Sequence, residues 1–259
     1  MDDPNHTATA GELPTKVLAA LVVAAVALMA GGALGLRALP TAMMVLFTDG
    51  VMAAAVLAAG TGFGWSVVRL LVPHQAPPML ALATAAMLGL WMLSLAVLAA
   101  GTLAPAALSA WVLWPVIGTG VALAIAFAHR PLGRIRLPGR LGGDSLVWLA
   151  VGVAGGLWLA GAVVPPGWLG RLTGPAGDAA AVTGRYLQLP REFLCAGRVT
   201  GLDHNVFSHG PLMTEMLGLL GMVLRGGAYE GTYLARFIGG LFAVDVLMMV
   251  VFAGILGWI

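Results

Sequence analysis

The sequence predicts an all-α, polytopic integral membrane protein with about six transmembrane helices and one large external loop that carries short interfacial helices. Of its 259 residues, 60% are hydrophobic and 9% are charged, whereas a globular domain has about 25% charged residues. The net charge is +2, which is too small to indicate a nucleic-acid partner. These figures exclude an ordinary cytosolic enzyme and indicate membrane lipids as the main surroundings of the chain.

Six stretches are long and apolar enough to cross a bilayer, for which about 20 residues are needed. They are 17–36, 41–68, 79–100, 106–128, 144–164 and 232–258. The chain then divides into a polar cytoplasmic tail (1–16), a four-helix transmembrane region (17–128), a basic cytoplasmic loop (129–143), a fifth transmembrane helix (144–164), an external loop with juxtamembrane helices (165–231) and a last transmembrane helix (232–259).

The distribution of arginines predicts the orientation. Arg130, Arg134, Arg136 and Arg140 lie in the short loop 129–143, and short loops rich in Lys and Arg stay in the cytoplasm. The N-terminus is then cytoplasmic, and the loop 165–231 faces the periplasm or an equivalent exterior. The tail begins Met-Asp-Asp without a basic segment, so we do not interpret it as a cleavable signal peptide.

The external loop contains nearly half of the charged residues and one short apolar stretch. This stretch, 211–224, would rise about 21 Å as a helix, less than the roughly 30 Å of a bilayer core. We expect an interfacial or juxtamembrane helix here, with a re-entrant hairpin as the alternative. Pro190 and Pro211 suit the starts of two short helices, the first over 191–196.

Two acids lie inside predicted spans. Asp49 lies two turns into the second span and Asp245 lies near the middle of the last. Such acids are costly in lipid and usually face a cavity or a partner, although Asp49 could instead lie at headgroup depth. Cys195 is the only cysteine, so an intrachain disulfide is excluded.

The external loop also holds the only dense group of acids, arginines and histidines. It reads RYLQLPREFLCAGR over 185–198 and LDHNVFSHGPL over 202–212, followed by Glu215. A carboxylate can act as general base on a hydroxyl group, and arginine binds phosphate through two N–H groups. This combination suits group transfer from a lipid-linked phosphate donor. The alternative is a solvated loop whose charges mark the water interface.

The two motifs YLQLPREFLxAGR and HNVFSHxPLxxEML, within 186–217, resemble the first large external loop of bacterial GT-C membrane glycosyltransferases. These enzymes include the protein O-mannosyltransferases and the lipid A aminoarabinose transferases. The resemblance implies a polyprenyl-phosphate sugar as donor, an acceptor at the outer face of the bacterial inner (plasma) membrane, and no obligatory metal ion. Because family members are longer, it also implies that this chain corresponds to their N-terminal part.

One departure from the family pattern concerns the presumed catalytic base, an acid early in this loop. Alignment on Pro190 puts Tyr186 at the position of a family histidine and Ala181 at the position of the acid. The nearest carboxylate is Asp178. Either a short insertion has moved the acid, or this copy has lost it and is inactive.

The resemblance suggests roles for individual residues. The candidates for the catalytic base are Asp178, then Asp203 and Glu215. The candidates for binding the donor phosphate are Arg191, Arg198 and Arg185. The other motif residues are Tyr186, Pro190, His204, Asn205, Ser208 and His209. Asn205 and Ser208 are expected to form the turn before Pro211, and we prefer this interpretation to a metal site made by the two histidines with Asp203.

Two further classes of function stay open at this point. The chain could be a non-catalytic membrane subunit or assembly factor that associates with other membrane subunits. It could also be a transporter, which we would favour only if Asp49 and Asp245 lined one pathway.

Overall fold

The computed structural model describes residues 13–14, 20, 24, 39–71, 78–134, 140–141, 152–156, 161–162, 187–201 and 213–257. Seven helices occupy most of this part of the chain. They are α1 (Leu39–Val45), α2 (Val51–Leu71), α3 (Pro78–Leu103), α4 (Ala110–Arg134), α5 (187–196), α6 (Met213–Arg225) and α7 (Thr232–Gly257). A π-helical segment, Leu46–Gly50, joins α1 to α2, and a 3₁₀ turn, Pro105–Ala107, precedes α4.

Four of the predicted spans are confirmed as helices long and apolar enough to cross a membrane. Within the described residues these are Pro40–Leu70, Leu80–Leu103, Ala110–Phe127 and Thr232–Val250. They correspond to the second, third, fourth and last predicted spans, and they indicate a membrane protein. The first predicted span and most of the fifth lie outside the described residues, apart from single residues and short helical pieces.

The fourth span begins four residues later than predicted. The 3₁₀ turn Pro105–Ala107 interrupts the chain, and the backbone N–H groups of Val112 and Leu113 both donate to the carbonyl oxygen of Ser109, at 3.1 and 3.0 Å. Ser109 therefore stands immediately before α4 and accepts its first hydrogen bonds, a position that serine favours.

Glycines allow α2 to approach α3 and α4 closely. Gly60 faces Leu90 and Gly64 faces Ala85, so α2 and α3 run in opposite directions. Gly62 faces Gly120 and Arg69 lies over the ring of Phe127, so α2 and α4 run in the same direction. Small residues at such contacts let helices pack by van der Waals contact in a membrane.

The last helix, α7, runs parallel to α2. Phe237 lies near Gly50, and Asp245 lines one cavity with Thr61 further along α2. Two short helical pieces of the predicted fifth span also lie beside α7: Gly155 faces Val244, and Arg236 donates to the carbonyl oxygen of Gly161. These pieces run opposite to α7, as the predicted order of crossings requires.

The helix α6 packs against α3, α4 and α7, which is contrary to the prediction of an interfacial helix. All nine residues from Met216 to Leu224 are buried. A hairpin turn at 226–231 connects α6 to α7, and Gly221 packs against the backbone of Ala235. A helix that is apolar on every side buries itself in protein, so its composition outweighs its short length.

The core of the bundle is built mainly from α2, α3, α6 and α7. Its fully buried large side chains include Leu90, Ile117, Leu189, Phe193, Met216, Leu217, Leu219, Leu220, Leu234, Phe237 and Ile238. Helix α5 contributes Leu189 and Phe193 to this core, although it lies in the predicted external loop. Residues 187–190 are already helical, so the predicted start at 191 was too late.

A two-residue antiparallel pairing is the only strand structure among the described residues. Leu13 pairs with Leu141 and Pro14 with Arg140. It joins the N-terminal tail to the basic loop, the two segments for which we predicted the same side of the membrane.

Candidate functional site

One end of the bundle gathers four segments that are far apart in the sequence. Asp49, just before α2, forms an ion pair with Arg225, the last residue of α6. The N–H of Val199, after α5, donates to the carbonyl oxygen of Gly101 near the end of α3, at 3.0 Å. We call this end, with residues 39–50, 101–110, 187–201 and 225–231, the arginine end.

The ion pair between Asp49 and Arg225 joins a buried carboxylate to a partly exposed guanidinium. Nε of Arg225 lies 2.8 Å from Oδ1 of Asp49, and Nη2 lies 3.2 Å from Oδ2. Asp49 is only 2% exposed, whereas the Arg225 side chain is one-third exposed. The two parallel hydrogen bonds hold the guanidinium in one orientation, and part of it still reaches the surface.

The local backbone explains how both partners reach this position. Asp49 lies in the π-helical segment, where the Thr48 hydroxyl lies 3.2 Å from its Oδ2; π-helical turns inside α-helices are frequent at functional sites. Arg225 ends α6, where a cation is favoured by the helix dipole. Gly226, with φ of +78°, and Gly227 donate to carbonyl oxygens of Val223 and Met222 and terminate the helix.

A second arginine lies on the same end. The guanidinium of Arg191 in α5 lies 4.9 Å from the ring centre of Tyr229, in the turn between α6 and α7. Gln188 donates to Oε1 of Glu192 one helical turn away, at 2.8 Å. Arg191 is exposed and Pro190 is buried, so α5 rests its apolar face on the bundle and turns Arg191 outward.

Arg198 also lies at the arginine end and is exposed. It follows Gly197, which has φ of +65° and ends α5 in the same way that Gly226 ends α6. The N–H groups of Gly197 and Arg198 donate to the carbonyl oxygens of Leu194 and Phe193. Of the predicted phosphate ligands, Arg191 and Arg198 therefore lie at one end of the molecule, and Arg185 lies outside the described residues.

Glu215 is separated from this group of arginines. It lies in the first turn of α6, where one of its carboxylate oxygens accepts a hydrogen bond from the Thr214 hydroxyl at 2.9 Å. Ten residues of helix, about 15 Å along its axis, separate it from Arg225. The carbonyl oxygen of nearby Met213 accepts a hydrogen bond from the hydroxyl of Ser94 in α3 at 3.0 Å. The start of α6 therefore lies beside α3, away from the arginine end.

The other predicted site residues lie outside the described residues. They are Asp178, Asp203, Tyr186, His204, Asn205, Ser208 and His209. Within the part of the chain that is described, no group of three or more His, Cys, Asp or Glu side chains could hold a metal ion.

Asp245 lies in a different place, in a cavity of about 380 Å³ lined by α2, α3, α4 and α7. The cavity walls include Ala54, Leu57, Thr61, Ala83, Val244 and Met248. Oδ2 of Asp245 is shielded from the surface and has no hydrogen-bond partner among the described residues. Asp49 is not among the described residues that line this cavity, so the condition that would have favoured a transporter is not met there.

Sequence reasoning missed Arg225 and Tyr229. A signal for Arg225 was present, because it is the single base that ends the apolar run of α6, and an acid inside a span requires a partner of this kind. The contact of Tyr229 with Arg191 depends on how α5 rests on the turn after α6, which no local pattern predicts.

Comparison with protein-family models, curated proteins and solved structures finds no match to this chain. A fold alone does not define an activity. The function is therefore inferred from the loop motifs and from the side chains at the arginine end.

Proposed function

We propose that this chain is a membrane glycosyltransferase of the GT-C type, which transfers a sugar from a polyprenyl-phosphate donor to an acceptor at the external face of the membrane. The observation that carries the proposal is the pair of linked motifs within 186–217. They occur between two apolar segments and contain arginines that can bind a phosphate, together with Asp203 and Glu215, two of the candidates for the base.

The arginine end supports this proposal through its charge. Arg191 and Arg198 come from the first motif and are exposed there, and Arg225 adds a guanidinium oriented by Asp49. A polyprenyl phosphate keeps its hydrocarbon chain in the bilayer and its phosphate near the headgroups. A cationic end on an apolar helical bundle matches both parts of such a donor.

The proposed reaction is a single displacement at the anomeric carbon. A loop carboxylate, with Asp178 as first candidate and Asp203 as second, removes the proton of an acceptor hydroxyl. The acceptor oxygen forms the new bond to the anomeric carbon while the bond between that carbon and the phosphate oxygen breaks. The departing polyprenyl phosphate takes the electron pair, and arginines stabilise its charge.

The test is sugar transfer by the purified full chain in lipid nanodiscs. Polyprenyl-phosphate donors labelled in the sugar are supplied with a lipid extract as acceptor, and release of label from the donor is measured. We expect Asp178→Asn to lower the rate at least about 100-fold, as removal of a general base does. Asp3→Asn, which changes an acid in the predicted cytoplasmic tail, serves as the matched control.

The outcomes separate the candidates. Full activity of Asp178→Asn would remove Asp178 as the base and make Asp203→Asn the next variant. No transfer by the wild-type chain from any donor would contradict the enzymatic function. It would favour the second candidate, a non-catalytic membrane subunit or assembly factor, for which Ala181 at the position of the family acid is the specific supporting observation.

A further inference from the structure

The cavity that contains Asp245 is distinct from the arginine end. Its walls come from the middle of α2, the first half of α3, Ala124 of α4 and the middle of α7, and they are mostly alanine, leucine and valine. The short side chains of Ala54, Ala58, Ala83 and Ala86 leave the space open. Its volume of about 380 Å³ lies within the range of about 300–1,000 Å³ that small-molecule sites occupy.

Two polar side chains interrupt the apolar walls from different sides. Thr61 on α2 donates its hydroxyl hydrogen to the carbonyl oxygen of Leu57 at 2.8 Å, which leaves its oxygen able to accept. Asp245 on α7 offers Oδ2, which is shielded and has no hydrogen-bond partner among the described residues. Both groups can therefore accept hydrogen bonds from a molecule in the cavity.

A charged carboxylate in this position destabilises the folded protein unless another group compensates its charge. An unpaired carboxylate in an apolar interior loses its hydration without gaining a partner, and acids inside membrane spans usually mark functional sites. Asp49 shows how this chain satisfies a buried acid, since Arg225 contacts both of its carboxylate oxygens. Asp49 is therefore paired with an arginine, whereas Asp245 borders a cavity.

We propose that this cavity binds a hydrophobic amine, whose ammonium group pairs with Asp245 and donates to Thr61 while its apolar body fills the alanine-lined space. Charge complementarity selects a cation, because a neutral molecule cannot compensate the carboxylate. The N–H groups select an ammonium over a quaternary cation, because Oδ2 and the Thr61 oxygen both accept hydrogen bonds. This site is independent of the proposed glycosyltransferase function.

The experiment measures binding of adamantan-1-amine, a compact apolar cage with one ammonium group, to the full chain in nanodiscs. Equilibrium dialysis against empty nanodiscs corrects for partition into lipid, and adamantan-1-ol is the neutral comparison. We expect saturable binding of the amine, with affinity at least about tenfold lower in Asp245→Asn, the nearly isosteric neutral variant. The alcohol should bind weakly and equally to both proteins.

Two further variants test the location. Ala83→Leu should fill the cavity and abolish amine binding while Asp245 is retained, and thermal unfolding establishes that it is folded. Glu230→Gln, far from the cavity at the arginine end, should bind like the wild type. Equal affinity of wild type and Asp245→Asn for the amine, equal affinity of the wild type for amine and alcohol, or the absence of saturable binding would each overturn the proposal. Loss of sugar transfer would not affect it, so the two proposals fail separately.

Discussion

Removal of Arg225 is expected to destabilise the protein much more than removal of its partner. Arg225→Ala leaves the carboxylate of Asp49 in a position that is only 2% exposed. Breaking a buried ion pair in this way typically costs about 3–5 kcal/mol, because one charge stays buried without compensation. Asp49→Asn instead leaves an arginine whose side chain is one-third exposed and can turn toward water, so we expect about 1–2 kcal/mol.

The double variant gives the decisive comparison. Asp49→Asn together with Arg225→Ala removes both charges of the pair, so no charge stays buried. Replacement of both members of a buried ion pair is often nearly neutral for stability. We therefore expect it to be more stable than Arg225→Ala alone. Arg191→Ala is the matched control, because that arginine is exposed at the same end and contacts Tyr229; such a contact contributes about 0.5–1 kcal/mol.

The assay is reversible unfolding in mixed micelles with increasing SDS, followed by the fluorescence of the 8 tryptophans. The free energy of unfolding is obtained for the wild type, the two single variants, the double variant and the control. A cost below about 0.5 kcal/mol for Arg225→Ala, the range of ordinary surface substitutions, would refute the reasoning. So would a double variant that is less stable than Arg225→Ala.

Two further predictions concern packing in the bundle, and both use the same unfolding assay. Gly89→Ala should destabilise the folded protein by about 1–3 kcal/mol or more, because a Cβ there would overlap the backbone of Gly60. Gly118→Ala, which has open space around the added methyl group, should be neutral or slightly stabilising. Equal effects of the two substitutions would contradict the close contact of α2 with α3. Leu219→Ala, at a fully buried position of α6, should cost about 2–5 kcal/mol, and a cost near zero would contradict the burial of α6 inside the bundle.

The transmembrane helices were predictable because their signal is local. The predicted third span begins one residue after the start of α3, and the last begins where α7 begins. Pro77 and Pro78 mark the first point, and the change from the polar, glycine-rich segment before Thr232 to an apolar one marks the second. Each span needs only its own apolar length to be stable in lipid, so hydropathy locates it without knowledge of its neighbours.

The surroundings of α6 were not predictable from its length. The fourteen positions of the predicted stretch 211–224 fall short of a span, and that favoured an interfacial helix. Burial of Met216 to Leu224 depends instead on the glycines at the α6–α7 hairpin and on the faces that α3 and α7 present. A short apolar helix can be buried only where distant segments of the chain provide side chains that cover it.

The same distinction holds for the charged residues. Composition predicted a membrane protein and the four spans that are confirmed as long apolar helices, because both follow from the transfer of each segment into lipid. The partner of Asp49 lies 176 residues away, and the space beside Asp245 is lined by side chains of α2, α3, α4 and α7. The sequence marked both acids as unusual, but packing determined that one has an arginine as its partner and the other a cavity.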